Sequence, residues 1–195
     1  MQEAGLEVFR RDGYYKASVD QIAELAGVSR ASFYVYFSNK EDLLSALYAD
    51  FIRDFTKVAD SLQSLLPPYS AAAQELRAWL ERFYHLYLPN VELLEALPLA
   101  YKENADFRQM GLANLEVMVA PWVRRITEVD ASIDARRART LAVFLVSMVE
   151  RSAYQQIRGT FGIDKDELLD ELTGLILAAV TGLRSSRKSR QRNSP

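Results

Sequence analysis

The residues whose types and spacing point to a definite chemistry lie between Ser18 and Tyr48, in the stretch SVDQIAELAGVSRASFYVYFSNKEDLLSALY. Two short helical patterns joined by Ala26-Gly27-Val28-Ser29 have the span of a helix-turn-helix, whose second helix enters the major groove of DNA. In that second helix Phe33 and Phe37 are four apart and share a face, which suits an interior. Arg30, Ala31, Ser32, Tyr34, Val35 and Tyr36 are left toward the outside. Arginine pairs with guanine edges, tyrosine meets thymine methyls or donates to phosphate, and serine reaches either. Two tyrosines and an arginine on an outward face suit DNA better than plain solvent. The competing reading is a small helical module whose tyrosines pack on a neighbour.

Other chemistries find little to work with. The 195 residues contain no cysteine and one histidine, so disulfides, thiolate metal sites, cysteine nucleophiles and multi-histidine clusters are excluded. The histidine, His85, stands between Tyr84 and Leu86 with no metal-spaced carboxylates beside it, and reads as an ordinary helix residue. There is no Gly-rich phosphate loop after a strand, no nucleophile elbow and no framed pair of acids. The expectation is a protein that is not an enzyme, with no cofactor and no metal.

The elements that must hold these residues are helices. Apolar residues recur at spacings of three and four almost throughout, which predicts an all-α fold of about nine helices. They are expected near 2–12, 18–25, 29–37, 39–66, 70–88, 91–104, 106–128, 133–158 and 164–183. Gly13 reads as a left-handed stop, and Ser18-Val-Asp-Gln21 and Ser38-Asn-Lys-Glu41 have capping-box spacing. Ser29 and Asp164 are further caps, Pro67-Pro68 is a break, and Pro98 and Pro121 are kinks or local breaks. The apolar runs at 141–149 and 172–183 fall short of the ~20 residues of a membrane helix, and no secretory signal is visible, so a cytoplasmic protein with no membrane partner is expected. The formal charge of −2 conceals unlike parts. Residues 1–48 have five bases against seven acids, whereas residues 184–195 have five bases and no acid, and are expected to be a disordered tail.

The chain resembles the TetR (tetracycline-repressor-like) family of transcriptional regulators. The matching pieces are Phe9, Gly13-Tyr14, Ser18-Val19, Ile22-Ala23, Ala26-Gly27-Val28-Ser29, Phe33 to Phe37, and Lys40 to Leu44. By that resemblance the DNA-binding roles fall on Ser18, Arg30, Ala31, Ser32, Tyr34, Val35, Tyr36 and Lys40, with Lys40 holding a phosphate beside a helix N-terminus. Many members have glycine where Ala31 stands, and a basic arm ahead of the first helix that this sequence does not show. The implied organisation is a DNA-binding domain over 1–48, a ligand-binding and dimerisation domain over 49–183, and the tail.

The resemblance also implies that the last two helices pair with their copies across a two-fold axis. Both are apolar on more than one side and so need a second burial partner. Leu141, Leu145, Leu168, Leu172, Leu175 and Ala179 are the expected interface residues. Phe83, Tyr87, Tyr101, Phe107, Met110, Met118, Trp122, Phe144, Met148 and Tyr154 are an aromatic and methionine inventory able to line an apolar effector pocket. For any one of them ordinary core packing is the competing reading. The expected activity is that of a dimeric regulator, most simply a repressor, that binds a pseudo-palindromic operator. A small hydrophobic effector releases it, with the helix from Asn39 onward as the lever. The alternative is a helical ligand-binding or scaffold protein without DNA binding.

Overall fold

Helix-start and helix-stop chemistry accounts for the first half of the architecture. In the computed structural model, which describes residues 1–64, 72–103 and 105–192, helix α1 (Gln2–Asp12) ends at Gly13. That glycine has φ 75° and ψ 158°, so the stop is not the left-handed helical conformation expected, but an extended positive-φ region that belongs almost only to glycine. Helix α2 (Val19–Leu25) opens with the capping box: the Ser18 hydroxyl accepts from the Gln21 N–H at 3.3 Å, and the Gln21 Oε1 accepts from the Ser18 N–H at 2.9 Å. Gly27, at φ 67°, makes the turn. Ser29 then caps α3 (Arg30–Tyr36) by accepting from the Ser32 N–H at 3.0 Å.

Helix α4 (Lys40–Asp60) starts one residue later than the Ser38 box would place it. Asn39 Oδ1 accepts from the Asp42 N–H at 2.8 Å, and Asp42 Oδ2 accepts from the Ser38 N–H at 3.0 Å. Asparagine and serine cap equally well, and the Asp42 carboxylate returns to the Ser38 N–H, one residue ahead of the cap. A 3-10 turn covers Ser61–Ser64, and the break expected at Pro67-Pro68 lies outside the described residues. Helix α5 (Ala72–Tyr87), a 3-10 turn at Leu88–Asn90, α6 (Val91–Glu103) and α7 (Ala105–Val129) follow. Pro98 and Pro121 lie inside α6 and α7, each of which is assigned as one helix through its proline.

Helix α8 (Ala135–Ile157) is capped by Asp134, whose Oδ1 accepts from the Arg137 N–H at 2.9 Å. Helix α9 (Lys165–Arg192) is capped by Asp164. It continues past Leu183 into the basic stretch expected to be disordered. Arginine, lysine and glutamine are good helix formers, and neither glycine nor proline interrupts the backbone between Leu183 and Arg192. The described residues thus contain nine α-helices and no strand, and no helix long and apolar enough to cross a membrane.

The chain divides into two compact units that do not follow a boundary at residue 48. The first comprises 1–54 with 89–115, and the second 55–88 with 116–195. In the first, α1 packs on α2 and also on α6, and α2 packs on α3. Its interior holds Val8, Phe9, Ile22, Phe33, Leu43, Leu44, Leu93 and Leu97. Gly5 lets α1 approach Leu43 closely: a Cβ there would collide with Leu43 Cδ2, on a side chain with no exposed surface. Gly5→Ala is expected to gain about 1 kcal/mol of helix propensity but to lose on the order of 2–3 kcal/mol to overpacking, a net destabilisation readable as a lower urea midpoint.

In the second unit α9 packs along α5 and contacts α8. Arg77 ties α5 to α9 through Asp170 at 2.5 Å and Asp166 at 2.8 Å, and Lys165 reaches Glu81 at 3.2 Å. Leu169, Leu172, Ile176 and Val180 of α9 fill the interior with Leu76, Leu80, Ala142 and Val149.

Candidate functional site

The candidate reading face is built on α3. Its buried anchor is Phe33, fully covered and 5.6 Å from the Phe37 ring. With that face turned inward, the helical rotation leaves Tyr34 45%, Val35 78% and Tyr36 69% exposed, and leaves Arg30 and Ala31 in solvent. Three large apolar or aromatic side chains thus stand in water on one seven-residue helix.

The polar groups around them are held rather than loose. Arg30 Nη1 donates to both oxygens of Asp20 at 3.0 Å, its Nη2 donates to the Tyr34 hydroxyl at 3.3 Å, and its guanidinium carbon stands 5.6 Å from the Tyr34 ring centre. The Tyr34 hydroxyl and the Asp20 charge both favour the protonated guanidinium, raising its pKa. Arg30 therefore stays a cation on the exposed face of α3, engaged by Asp20 and Tyr34. Ser32 is half-buried and faces the Ser29 hydroxyl at 2.9 Å. Ser18 is occupied in its capping box.

Lys40, the first residue of α4, is tied to the turn that follows α1. Its Nζ donates to the Tyr14 carbonyl at 3.0 Å and lies 4.4 Å from the Tyr14 ring centre, while the Tyr14 hydroxyl donates to Glu41 Oε1 at 2.8 Å. An ammonium has three donors, so this seating leaves Lys40 able to meet a phosphate from a fixed position. Asp20 and Tyr14 are the residues a reading by composition passes over. Asp20 lies ten residues from Arg30, and only the turn at Gly27 brings the two together.

The second unit contains a cavity with about 240 Å³ of empty space, part of it open to solvent, lined by Phe55, Trp79, Phe83, Met118, Trp122, Val146, Val149 and Glu150. Its interior is pinched to roughly the room of one water molecule. Trp79 and Trp122 meet edge to face at 5.5 Å, Trp79 stacks on Phe83 at 6.0 Å, and Phe83 meets Phe55 at 6.1 Å. The Trp79 Nε1 donates to the Val58 carbonyl at 2.7 Å, which fixes its ring. Burial pushes the Glu150 carboxyl above the usual carboxylate range.

Of the expected pocket residues, Phe83, Met118 and Trp122 line this cavity. Tyr87 is buried beside Phe83 at 5.6 Å without reaching the wall. Tyr101 and Phe107 pair with each other at 5.5 Å in the other unit. The Met110 side chain lies outside the described residues. Tyr154 is flanked by the guanidinium groups of Arg151 and Arg158, and Met148 is half-buried away from the wall. Phe144 is a correction: it is 66% exposed and outside the cavity. Val146 faces the cavity, and two residues along a helix is a rotation of about 200°, so Phe144 points the opposite way.

The expected interface residues divide in the same manner. Leu145, Leu168 and Leu172 are buried within their own chain, Leu141 is half-buried, and Leu175 and Ala179 are exposed. Val143 and Phe144 on α8 and Leu175, Ala178 and Ala179 on α9 are among the apolar and small residues left in solvent. Among the described residues no group of three or more acids, histidines or cysteines is placed to hold a metal.

Residues 3–47 match the family model described as bacterial regulatory proteins, tetR family. The HTH-type transcriptional activator FasR of Mycolicibacterium smegmatis is 27% identical over 170 residues, which are 86% of this chain and 75% of that protein. The fatty acid metabolism regulator protein of Bacillus subtilis is 25% identical over 146 residues, 71% of this chain and 74% of that one. Among solved structures, the transcriptional regulator FadR from Bacillus subtilis in complex with stearoyl-CoA shares the fold with a TM-score of 0.69 at 22% identity, covering 91% of this chain and 96% of that one.

Proposed function

From the match of residues 3–47 to the tetR family model and the likeness to FasR, we propose that the chain is a DNA-binding transcriptional regulator of the tetR family, a homodimeric repressor whose two α3 helices read a pseudo-palindromic operator and are released by a small hydrophobic effector. The observation that carries the reading is the face of Arg30, Tyr34, Val35 and Tyr36, exposed on a helix whose Phe33 is fully buried. In a dimer two such helices occupy successive major grooves about one helical turn apart. Arg30 and the tyrosines read base edges, and Lys40 with the first turn of α4 holds a phosphate.

Residues 1–48 are assigned to reading, and the remainder to sensing and assembly. Support for assembly comes from Val143, Phe144 and Leu175, exposed on the two helices α8 and α9 that pack on each other. Support for sensing comes from the aromatic cavity. The B. subtilis structure holding stearoyl-CoA and the relative named for fatty acid metabolism favour an effector with a substantial apolar part. The effector shifts the protein toward a non-binding state only to the extent that it binds that state more tightly. Helix α4 carries Lys40 at its first residue and Phe55, a cavity-lining residue, further along, which makes it the natural carrier of that shift.

A mobility-shift titration on the DNA upstream of the protein's own coding region tests this. A discrete complex with a two-fold footprint is expected, at a dissociation constant on the order of 10⁻⁸ M. The salt dependence should be shallow, because residues 1–48 carry more acids than bases. Binding no tighter than to unrelated DNA counts against the reading.

A further inference from the structure

The cavity in the second unit has one ionisable residue, Glu150, in a wall that is otherwise tryptophan, phenylalanine, methionine and valine. Glu150 is half-buried, and a carboxylate partly withdrawn from water is stabilised by meeting a cation or a hydrogen-bond donor. Among the described residues Glu150 has no hydrogen bond or ion pair, and no lysine, arginine or histidine shares the lining. Desolvation holds its pKa above the usual carboxylate range. Around it stand the rings of Trp79 and Trp122, which meet edge to face, and Phe83, stacked on Trp79. Aromatic faces attract cations, tryptophan most strongly. A ligand carrying a negative headgroup would meet Glu150 as a like charge, in surroundings where such repulsion is poorly screened.

We propose that this cavity takes a small organic cation with an apolar body, its positive head paired with the Glu150 carboxylate and its body packed on Trp79, Trp122 and Phe83. The proposal rests on the reading of this cavity as the effector site and sets the sign of charge the effector carries. Seating the apolar body requires the pinched interior to widen, and Met118 is the lining residue whose unbranched side chain changes shape at lowest cost.

The chain has two tryptophans, and both line the cavity, so intrinsic fluorescence reports occupancy directly. Three probes of equal chain length separate the possibilities: hexyltrimethylammonium, whose charge does not depend on pH, 1-hexanol and hexanoate. The full-length protein is expected to bind the cation at least about tenfold more tightly than the alcohol, with hexanoate weakest. Glu150→Gln is expected to lose about tenfold or more for the cation, to leave the alcohol unchanged and to improve hexanoate. Hexanoate binding as tightly as the cation overturns the proposal, as does a cation affinity unmoved by Glu150→Gln. The ranking of the three probes on the unmodified protein decides the matter even if the variant does not fold. If the alcohol or hexanoate quenches and the cation does not, the charge assignment fails and the effector-site reading stands. If none of the three quenches, both fail.

Discussion

Replacing Phe144 and Leu175 together by glutamate is expected to turn the protein into monomers and to abolish operator binding at concentrations where the unmodified protein is saturated. Phe144 is 66% and Leu175 55% exposed, on two helices that pack against each other in one unit. A two-fold interface uses each side chain twice, so the double substitution brings four carboxylates into it. Each desolvated, unpaired charge costs several kcal/mol, and the dimer dissociation constant should rise by at least about 10³-fold. The outward side of α9 also carries Gly174, where a Cβ would meet nothing within 4 Å, and the small Ala178. Such a surface lets a second helix come close. The protomer should keep its melting behaviour, because neither side chain belongs to its interior. Sedimentation equilibrium and a thermal melt check the two halves of this expectation. A variant that remains dimeric places the interface on another surface.

Tyr34→Ala is expected to give the second largest effect, on DNA binding alone. Loss of a base or phosphate contact costs about 1–3 kcal/mol, and a dimer loses it at both half-sites, so operator affinity should fall by at least about 30-fold. The substitution also frees the Arg30 guanidinium from its 3.3 Å bond to the Tyr34 hydroxyl and leaves it with Asp20. Operator affinity should therefore drop further than affinity for unrelated DNA. Dimerisation should be untouched. Fluorescence anisotropy on operator and scrambled duplexes, with sedimentation as control, reads all three quantities. Unchanged operator affinity would mean that α3 is not the recognition helix.

The reading head was legible because its signals are local. Ser18 with Gln21, the glycine at 27, the cap at Ser29 and the four-residue spacing of Phe33 and Phe37 each act within a turn or two of chain. The single displaced cap, Asn39 in place of Ser38, reflects two adjacent residues with nearly equal capping strength. Glu150 left a faint trace in the sequence as a lone acid closing the apolar run 141–149, but that pattern also fits a solvated helix end. Its place in an aromatic wall depends on Trp79 and Trp122, far away along the chain.

What the sequence determined by itself was the all-α architecture, the helix-turn-helix and the outward set of Arg30, Tyr34, Val35 and Tyr36. Helix periodicity, caps and the sorting of apolar from polar faces are short-range properties. Only the tertiary structure decided which apolar side of α8 and α9 faces inward. Both helices are apolar around much of their circumference, so periodicity alone offers more than one inner face. Packing of α9 against α5 and α8 takes Leu168 and Leu172 into the chain's own interior and leaves Leu175 outside. The same choice on α8 turns Val146 and Val149 into the cavity and Phe144 into solvent, a difference of half a helical turn that no local signal specifies.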